Sequence, residues 1–173
     1  MRKIFEFLNN MDVYVSFTMH GFYYKKWLNH LMMFISGSAD FGISWLILIL
    51  LTNLVGALHG LSIDLLVALL LATLIGQVTI KTFVKRKRPC QTFDNMEMLV
   101  PIPSDFSFPS SHTMTSFACA TVLACYDPVL GVVGLIYATL VGISRIYLFV
   151  HYLSDVFAGA LFGVIVGAFV FVL

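Results

Sequence analysis

The sequence predicts an all-α membrane protein: a bundle of about five transmembrane helices behind an N-terminal interfacial amphipathic segment. Three observations predict it. Of the 173 residues 60% are apolar and only 11% are charged, whereas soluble domains carry about a quarter charged residues. Mean hydropathy is +0.94. The apolar residues also come in runs of about twenty, the length a helix needs to cross a bilayer core.

Residues 1–37 are mixed, with Phe5, Leu8, Tyr14, Phe17, Phe22, Tyr23, Tyr24 and Trp27 beside Glu6, Asp12, His20, Lys25 and Lys26. Aromatics interleaved with lysines suit a headgroup-level segment. One or two helices lying on the membrane are expected there, because Lys25-Lys26 makes a crossing expensive. The first span is expected over 39–58, capped by Ser38, with Asp40 its lone charge. His59-Gly60-Leu61 reads as a tight turn, and the second span covers about 62–84. Residues 85–111 form the one long connection. The third span is expected over 110–126. Asp127-Pro128 reads as an N-cap followed by proline at the first helical position, opening the fourth span over 128–148. The fifth runs over 152–173, where Gly159, Gly163 and Gly167 give a smooth face for helix packing. No repeat or linker divides the chain, so residues 1–173 are one domain.

Other classes are excluded by the same reading. A net charge of +1 and the lack of a basic repeat or RNA motif argue against a nucleic-acid partner. Three cysteines, Cys90, Cys119 and Cys125, imply no disulfide framework. Glu6, Asn9, Asn10 and Asp12 interrupt the start too early for a cleaved signal peptide.

The expected spans place three polar clusters at one membrane face. The first is Lys81-Thr-Phe-Val-Lys85-Arg86-Lys87-Arg88-Pro89. If helical, it sets Lys81, Lys85 and Arg88 on one side, with Pro89 as the stop; snorkelling to lipid headgroups is the plain alternative. The second is Pro109-Ser110-Ser111-His112 at a helix N-terminus, a ready anion site, with simple N-capping as the plain alternative. The third is Ser144-Arg145 through His151 to Asp155. On a helix His151 and Asp155 share a face, the spacing for a carboxylate to orient an imidazole, and Arg145 adds a cationic fork suited to phosphate or carboxylate. A helix-end ion pair explains the last pair alone. Three basic groups, a helix N-terminus, two histidines and a carboxylate around one point suit a tetrahedral anion, which independent snorkelling and capping do not require. Arg145 and His151 are six apart, so a break near 148–152 is expected to fold one back toward the other.

Lys81-x6-Arg88-Pro89, Pro109-Ser110-Ser111-His112 and Ser144-Arg145-x5-His151-x3-Asp155 together closely resemble the three-part signature of the type 2 phosphatidic acid phosphatase (PAP2) family. That family shares its site architecture with vanadium haloperoxidases, where vanadate stands in place of phosphate. The resemblance covers about residues 40–173. Ser111 departs from it, standing where the family usually has Gly, which permits a tighter approach.

The resemblance implies an integral membrane lipid phosphatase. His151 is the nucleophile forming a phosphohistidine, Asp155 orients it, and His112 is the general acid–base. Lys81, Arg88, Ser110, Ser111 and Arg145 bind the phosphate oxygens. No cofactor and no metal are expected; the carboxylates near the motifs are too few for a two-metal centre. The partner is a membrane lipid with a phosphate or diphosphate headgroup. Undecaprenyl diphosphate, phosphatidylglycerophosphate, phosphatidate and lipid A 1-phosphate are not separated by sequence, although the short layout looks like the small bacterial undecaprenyl-diphosphate phosphatases of the family. A lipid phosphotransferase or a non-enzymatic phospholipid transporter or flippase is the alternative. His20, His30 and His59 are read as structural. Lys85, Arg86 and Lys87 match no family position and are read as headgroup contacts. These three with Arg2, Lys3, Lys25 and Lys26 lie on the reactive side, which by the positive-inside rule is cytoplasmic. Bacterial relatives mostly work on the outer side of the inner membrane, and the resemblance sets the expectation: a multi-pass cell-membrane protein with a periplasmic-face site.

Overall fold

The computed structural model describes residues 2–93 and 95–173, with the side chains of residues 2–5 outside that description. The expectations for Arg2, Lys3 and Phe5 therefore lie outside the described residues. Helices α1 (Arg2–His20), α2 (Lys26–Ser38), α3 (Ile43–Leu54), α4 (His59–Thr73), α5 (Lys81–Val84), α6 (Pro89–Thr92), α7 (Ser111–Tyr126), α8 (Pro128–Tyr147) and α9 (Leu153–Val172) follow one another, with no strand among the described residues.

Helix α7 is the axis of the bundle, packed on by α9, α8 and α4. It can be central because it is built of small and hydroxyl-bearing residues: Thr113, Ser116, Ala118, Cys119 and Ala120 are all fully buried. The glycines of α9 admit its backbone. A Cβ at Gly159 would lie 2.7 Å from the Ser110 carbonyl oxygen, and one at Gly163 or Gly167 would press still closer on the carbonyl oxygen of Met114 or Ala118. The smooth face expected from sequence is thus the seat of α7. Trp45, Leu65, Leu69, Met114, Val122 and Val166 fill the core around it.

Three helical runs among the described residues are long and apolar enough to cross a membrane: Gly56–Thr92, Pro128–Tyr147 and Leu153–Val172. Two of the five expected spans differ. Helix α7 has 16 residues, about 24 Å at 1.5 Å per residue, shorter than a bilayer core. The first is one arm of a bent pair, Lys26–Ser38 and Asp40–Leu54, meeting at 52°. Ser38 does not cap that second arm; its hydroxyl donates back to the Ile35 carbonyl. The turn expected at 59–61 falls at Val55–Leu58, and His59 already begins α4. Asp127 caps α8 as expected, its Oδ1 accepting from the N–H groups of Val129 and Leu130.

The N-terminal segment forms two helices, α1 and α2, as expected, and its inward face is polar. It docks on the protein through polar residues: Asp12, Ser16, Asn29 and Ser36 are buried, and Tyr147 donates to Asn29 Oδ1 at 2.5 Å. Phe7, Tyr14, Tyr24, Trp27 and Phe34 face outward. A polar inward face needs polar partners on the body, which local sequence cannot display.

Candidate active site

Helix α4 continues through a π-helical turn, Leu74–Ile80, into α5; such turns reset the facing of side chains and recur at functional sites. This one presents Gln77, and Lys81 follows. The helix then ends at Val84, five residues before the expected proline stop, because Lys85 adopts left-handed backbone (φ 51). Residues 85–88 run without helix and alternate as extended chain does: Lys85 and Lys87 are exposed, Arg86 and Arg88 turn inward. The expectation that Lys81, Lys85 and Arg88 share a helix face is corrected accordingly. So is the reading of Arg86 as a headgroup contact, since its partners are Asp12, Ser154 and Asp155. Pro89 opens α6 rather than closing α5.

The break after Tyr147 folds as expected. The N–H groups of Val150 and His151 both donate to the Arg145 carbonyl at 3.3 Å, which carries His151 back over the end of α8. Asp155 stands at the third position of α9 and reaches back to the N–H of Tyr152 at 2.9 Å, a capping interaction that fixes its rotamer.

A cavity of about 350 Å³ opens among these elements, its wall including Lys81, Arg88, His112 and Arg145. Those four expected site residues are brought together. A carboxylate from the long connection is held at this cationic wall: Asp105 accepts from Lys81 Nζ at 2.5 Å, Arg88 Nη2 at 2.6 Å and Gln77 Nε2 at 3.0 Å. Burial pushes the Asp105 carboxyl up, but the Lys81 hydrogen bond and the Arg88 and Lys81 charges more than offset it and hold it well below the usual carboxylate range. An oxyanion therefore already sits among the cations.

His151 lies behind the wall, 1% exposed. Arg88 Nη1 donates to its Nε2 at 2.9 Å and to the Val150 carbonyl at 2.8 Å. A guanidinium can only donate, so Nε2 carries the lone pair, facing Arg88, and the ring proton sits on Nδ1. Nδ1 is buried without a hydrogen-bond partner and lies 3.7 Å from Asp155 Oδ2. Burial, then the charges of Arg88, Arg145, Lys81 and His112, hold the imidazole well below its ordinary pKa. The neutral ring is the resting form.

His112 Nε2 is 2.7 Å from Asp40 Oδ1; the carboxylate accepts, so Nε2 bears the proton. Arg145 Nη1 donates to Ser36 at 2.5 Å, and its Nε is buried without a partner. Ser111 donates to Gln77 Oε1 at 2.8 Å and lines an adjoining cavity with Gln77, His112 and Phe41. The Ser110 side chain is not brought to the cavity wall. Its hydroxyl accepts from Thr113 at 2.9 Å and its N–H donates to the Asp155 carbonyl at 3.1 Å.

Sequence reasoning missed Asp12, Ser36, Gln77, Arg86 and Asp105, and noted Asp40 only as a lone charge. The usable signal was burial cost: a single carboxylate at the head of an apolar run, as at Asp40, needs a partner. The long connection also does more than the sequence suggested. Phe93, Met96, Met98, Leu99 and Val100 pack against Tyr23, Met32, Tyr147 and Phe149, so the segment folds onto α1, α2 and the 147–150 turn.

Comparison with known proteins finds similar chains. The sequence profile of the PAP2 superfamily matches residues 61–173. An undecaprenyl-diphosphatase of Sulfolobus acidocaldarius is 31% identical over 137 residues, 79% of this chain and 66% of that protein. The bacitracin transport permease protein BcrC of Bacillus licheniformis is 36% identical over 105 residues, 61% of this chain and 51% of that protein. The chain thus matches between half and two thirds of the length of these curated relatives. The crystal structure of a transmembrane PAP2-type phosphatidylglycerolphosphate phosphatase from Bacillus subtilis is similar at a TM-score of 0.74 and 27% identity, over 94% of this chain and 83% of that one.

Proposed function

This chain belongs to the PAP2 superfamily, and on that premise we propose that it is an integral membrane phosphatase of lipid phosphates or diphosphates. The observation that carries the reading is the carboxylate of Asp105 held by Lys81, Arg88 and Gln77, the bonding a phosphoryl group would take over. A diphosphate headgroup on a polyprenyl chain is the favoured substrate, because a similar protein is an undecaprenyl-diphosphatase.

In the proposed mechanism the phosphoryl group displaces Asp105 and draws Arg88 from His151 Nε2 onto its own oxygens. Nε2 attacks phosphorus, a P–N bond forms, and the P–O bond to the leaving group breaks. His112, when cationic, gives its proton to the leaving oxygen. It then takes a proton from water, whose oxygen attacks phosphorus and releases His151. Lys81, Arg88 and Arg145 neutralise the equatorial oxygens, ordinarily the largest contribution in phosphoryl transfer. Asp155, facing Nδ1, stabilises the ring as it becomes cationic. The site faces the outer side of the cell membrane; labelling a single cysteine placed at Ile102, which is exposed, in protein whose own exposed Cys125 is replaced, with an impermeant thiol reagent tests that.

The deciding experiment measures phosphate release by purified protein in detergent from polyprenyl diphosphate, phosphatidylglycerophosphate, phosphatidate and lipid A 1-phosphate, with and without chelator. Release that His151→Ala abolishes is expected. Turnover by His151→Ala equal to that of the unaltered protein refutes the proposal. The relative named as a transport permease favours one second reading, movement of a phosphorylated lipid. Transport would persist in His151→Ala, with no phosphate released.

A further inference from the structure

We propose that Asp12 of α1 and Arg86 form a positioning pair that holds Asp155 and keeps His151 unprotonated, so that the N-terminal helix is a working part of the active site. The inference rests on the phosphatase reading above. It adds two residues, and Asp12 lies outside the region 61–173 that matches the family.

The chain of contacts is continuous. Arg86 Nη1 donates to Asp155 Oδ1 and to Ser154 Oγ, both at 2.7 Å, and Nη2 donates to Asp12 Oδ2 at 2.7 Å. Its guanidinium stacks over the Tyr152 ring at 4.1 Å. Asp12 is nearly buried and closes the ring: Oδ1 accepts from the Ser154 N–H at 2.8 Å and Oδ2 from the Ser154 hydroxyl at 2.5 Å. Asp155 is fully buried, with Oδ1 on Arg86 and Oδ2 on the Tyr152 N–H, 3.7 Å from His151 Nδ1. Arg86 and Asp12 do not line the cavity. They act on the carboxylate from the side away from the imidazole.

Charge explains why such a pair matters. A buried carboxylate beside an imidazole draws a proton onto it, and an imidazolium has no lone pair with which to attack phosphorus. Arg86, bonded to Asp155 Oδ1, opposes that pull. The groups facing His151 are Asp155 from α9, Arg88 from the 85–88 segment, Arg145 from α8, Lys81 from α5 and His112 from α7. Behind Asp155 stand Arg86 and then Asp12. Removing the Arg86 charge leaves two carboxylates uncompensated and raises the proton affinity of His151. Removing the Asp12 charge leaves Arg86 wholly to Asp155 and does not.

The test is the pH profile of kcat for Arg86→Gln, Arg86→Lys and Asp12→Asn. Arg86→Gln is expected to move the acid limb up by about one pH unit, with activity lost roughly tenfold below the limb and largely regained above it. KM should stay within about twofold, because the phosphate ligands are untouched. Arg86→Lys keeps the limb near its original position, and Asp12→Asn moves it down or not at all. Loss by one factor at every pH, or a raised KM with an unmoved limb, overturns the proposal. A readout without turnover separates it from the phosphatase reading. With only five histidines in the chain, 13C-histidine NMR in detergent gives the His151 titration directly, assigned by its loss in His151→Asn. An upward midpoint in Arg86→Gln upholds the positioning role even if no lipid tried is a substrate. An unmoved midpoint overturns it even if phosphate is released. If Arg86→Gln fails to fold, the charge-keeping Arg86→Lys and Asp12→Asn carry the same comparison: an upward limb in Asp12→Asn refutes the charge argument.

Discussion

Replacing Asp105 by Asn should make the protein bind phosphate more tightly. The carboxylate accepts from Lys81, Arg88 and Gln77, so any phosphoryl group entering the cavity must first displace it. A hydrogen bond to a charged group contributes about 1.5–3 kcal/mol. Asp105 is 35% exposed at its side chain, however, so solvent screens the pair, and holding the connection in place costs entropy; on the order of 1 kcal/mol net remains. Displacing an internal competitor of that strength weakens apparent affinity by roughly fivefold. In Asp105→Asn the inhibition constant of inorganic phosphate and the KM for a lipid diphosphate should both fall by about that factor, with kcat little changed. Because Lys81 and Arg88 hold the Asp105 carboxyl below its ordinary range, it stays ionised through the working range. The ratio of the two inhibition constants should therefore be flat between about pH 5.5 and 8. Weaker phosphate binding in Asp105→Asn would refute the reasoning and make Asp105 an organiser of the cations that stays in place.

Three further outcomes follow from the same geometry. His151→Ala and Asp155→Asn should each cut phosphate release by about a thousandfold or more, as loss of triad members does, while the detergent-solubilised proteins keep the elution profile of the unaltered one. The imidazole of His151 is held well below its ordinary pKa by burial and by Arg88, Arg145 and Lys81; its neutral form persists as pH falls, so the acid limb of kcat/KM should lie below about pH 6.5. A limb above that value contradicts a neutral resting imidazole. Gly163→Val drives a side chain into the Met114 carbonyl oxygen and Phe117, and thermal unfolding in detergent should register a loss of about 1–3 kcal/mol, whereas Gly37→Ala, with open space around it, should lose none.

Membrane character, helical class and the three motifs were legible because each is written locally. Hydropathy runs are contiguous, an Asp-Pro cap is two adjacent residues, and His151 and Asp155 are four residues apart, although His151 precedes the first residue of α9 and does not share a helix face with Asp155 as expected. The glycine stripe of α9 was legible as a face, but not as the seat of α7. Two local misreadings came from assuming helix beyond Val84, where left-handed backbone at Lys85 ends it. With period two in place of 3.6, Arg86 rather than Lys85 turns inward.

Tertiary structure alone decided what completes the site. Asp12 and Arg86 are 74 residues apart, Asp40 and His112 are 72 apart, and Ser36 and Arg145 are 109 apart. In each pair one polar group is satisfied by another far away in the chain, and that need is visible in sequence only as an isolated charge or hydroxyl among apolar neighbours. Which partner answers it depends on how α7, α8 and α9 close around one another. The motifs named the chemistry, and the packing of the bundle set Asp105 among its cations and Arg86 behind its carboxylate.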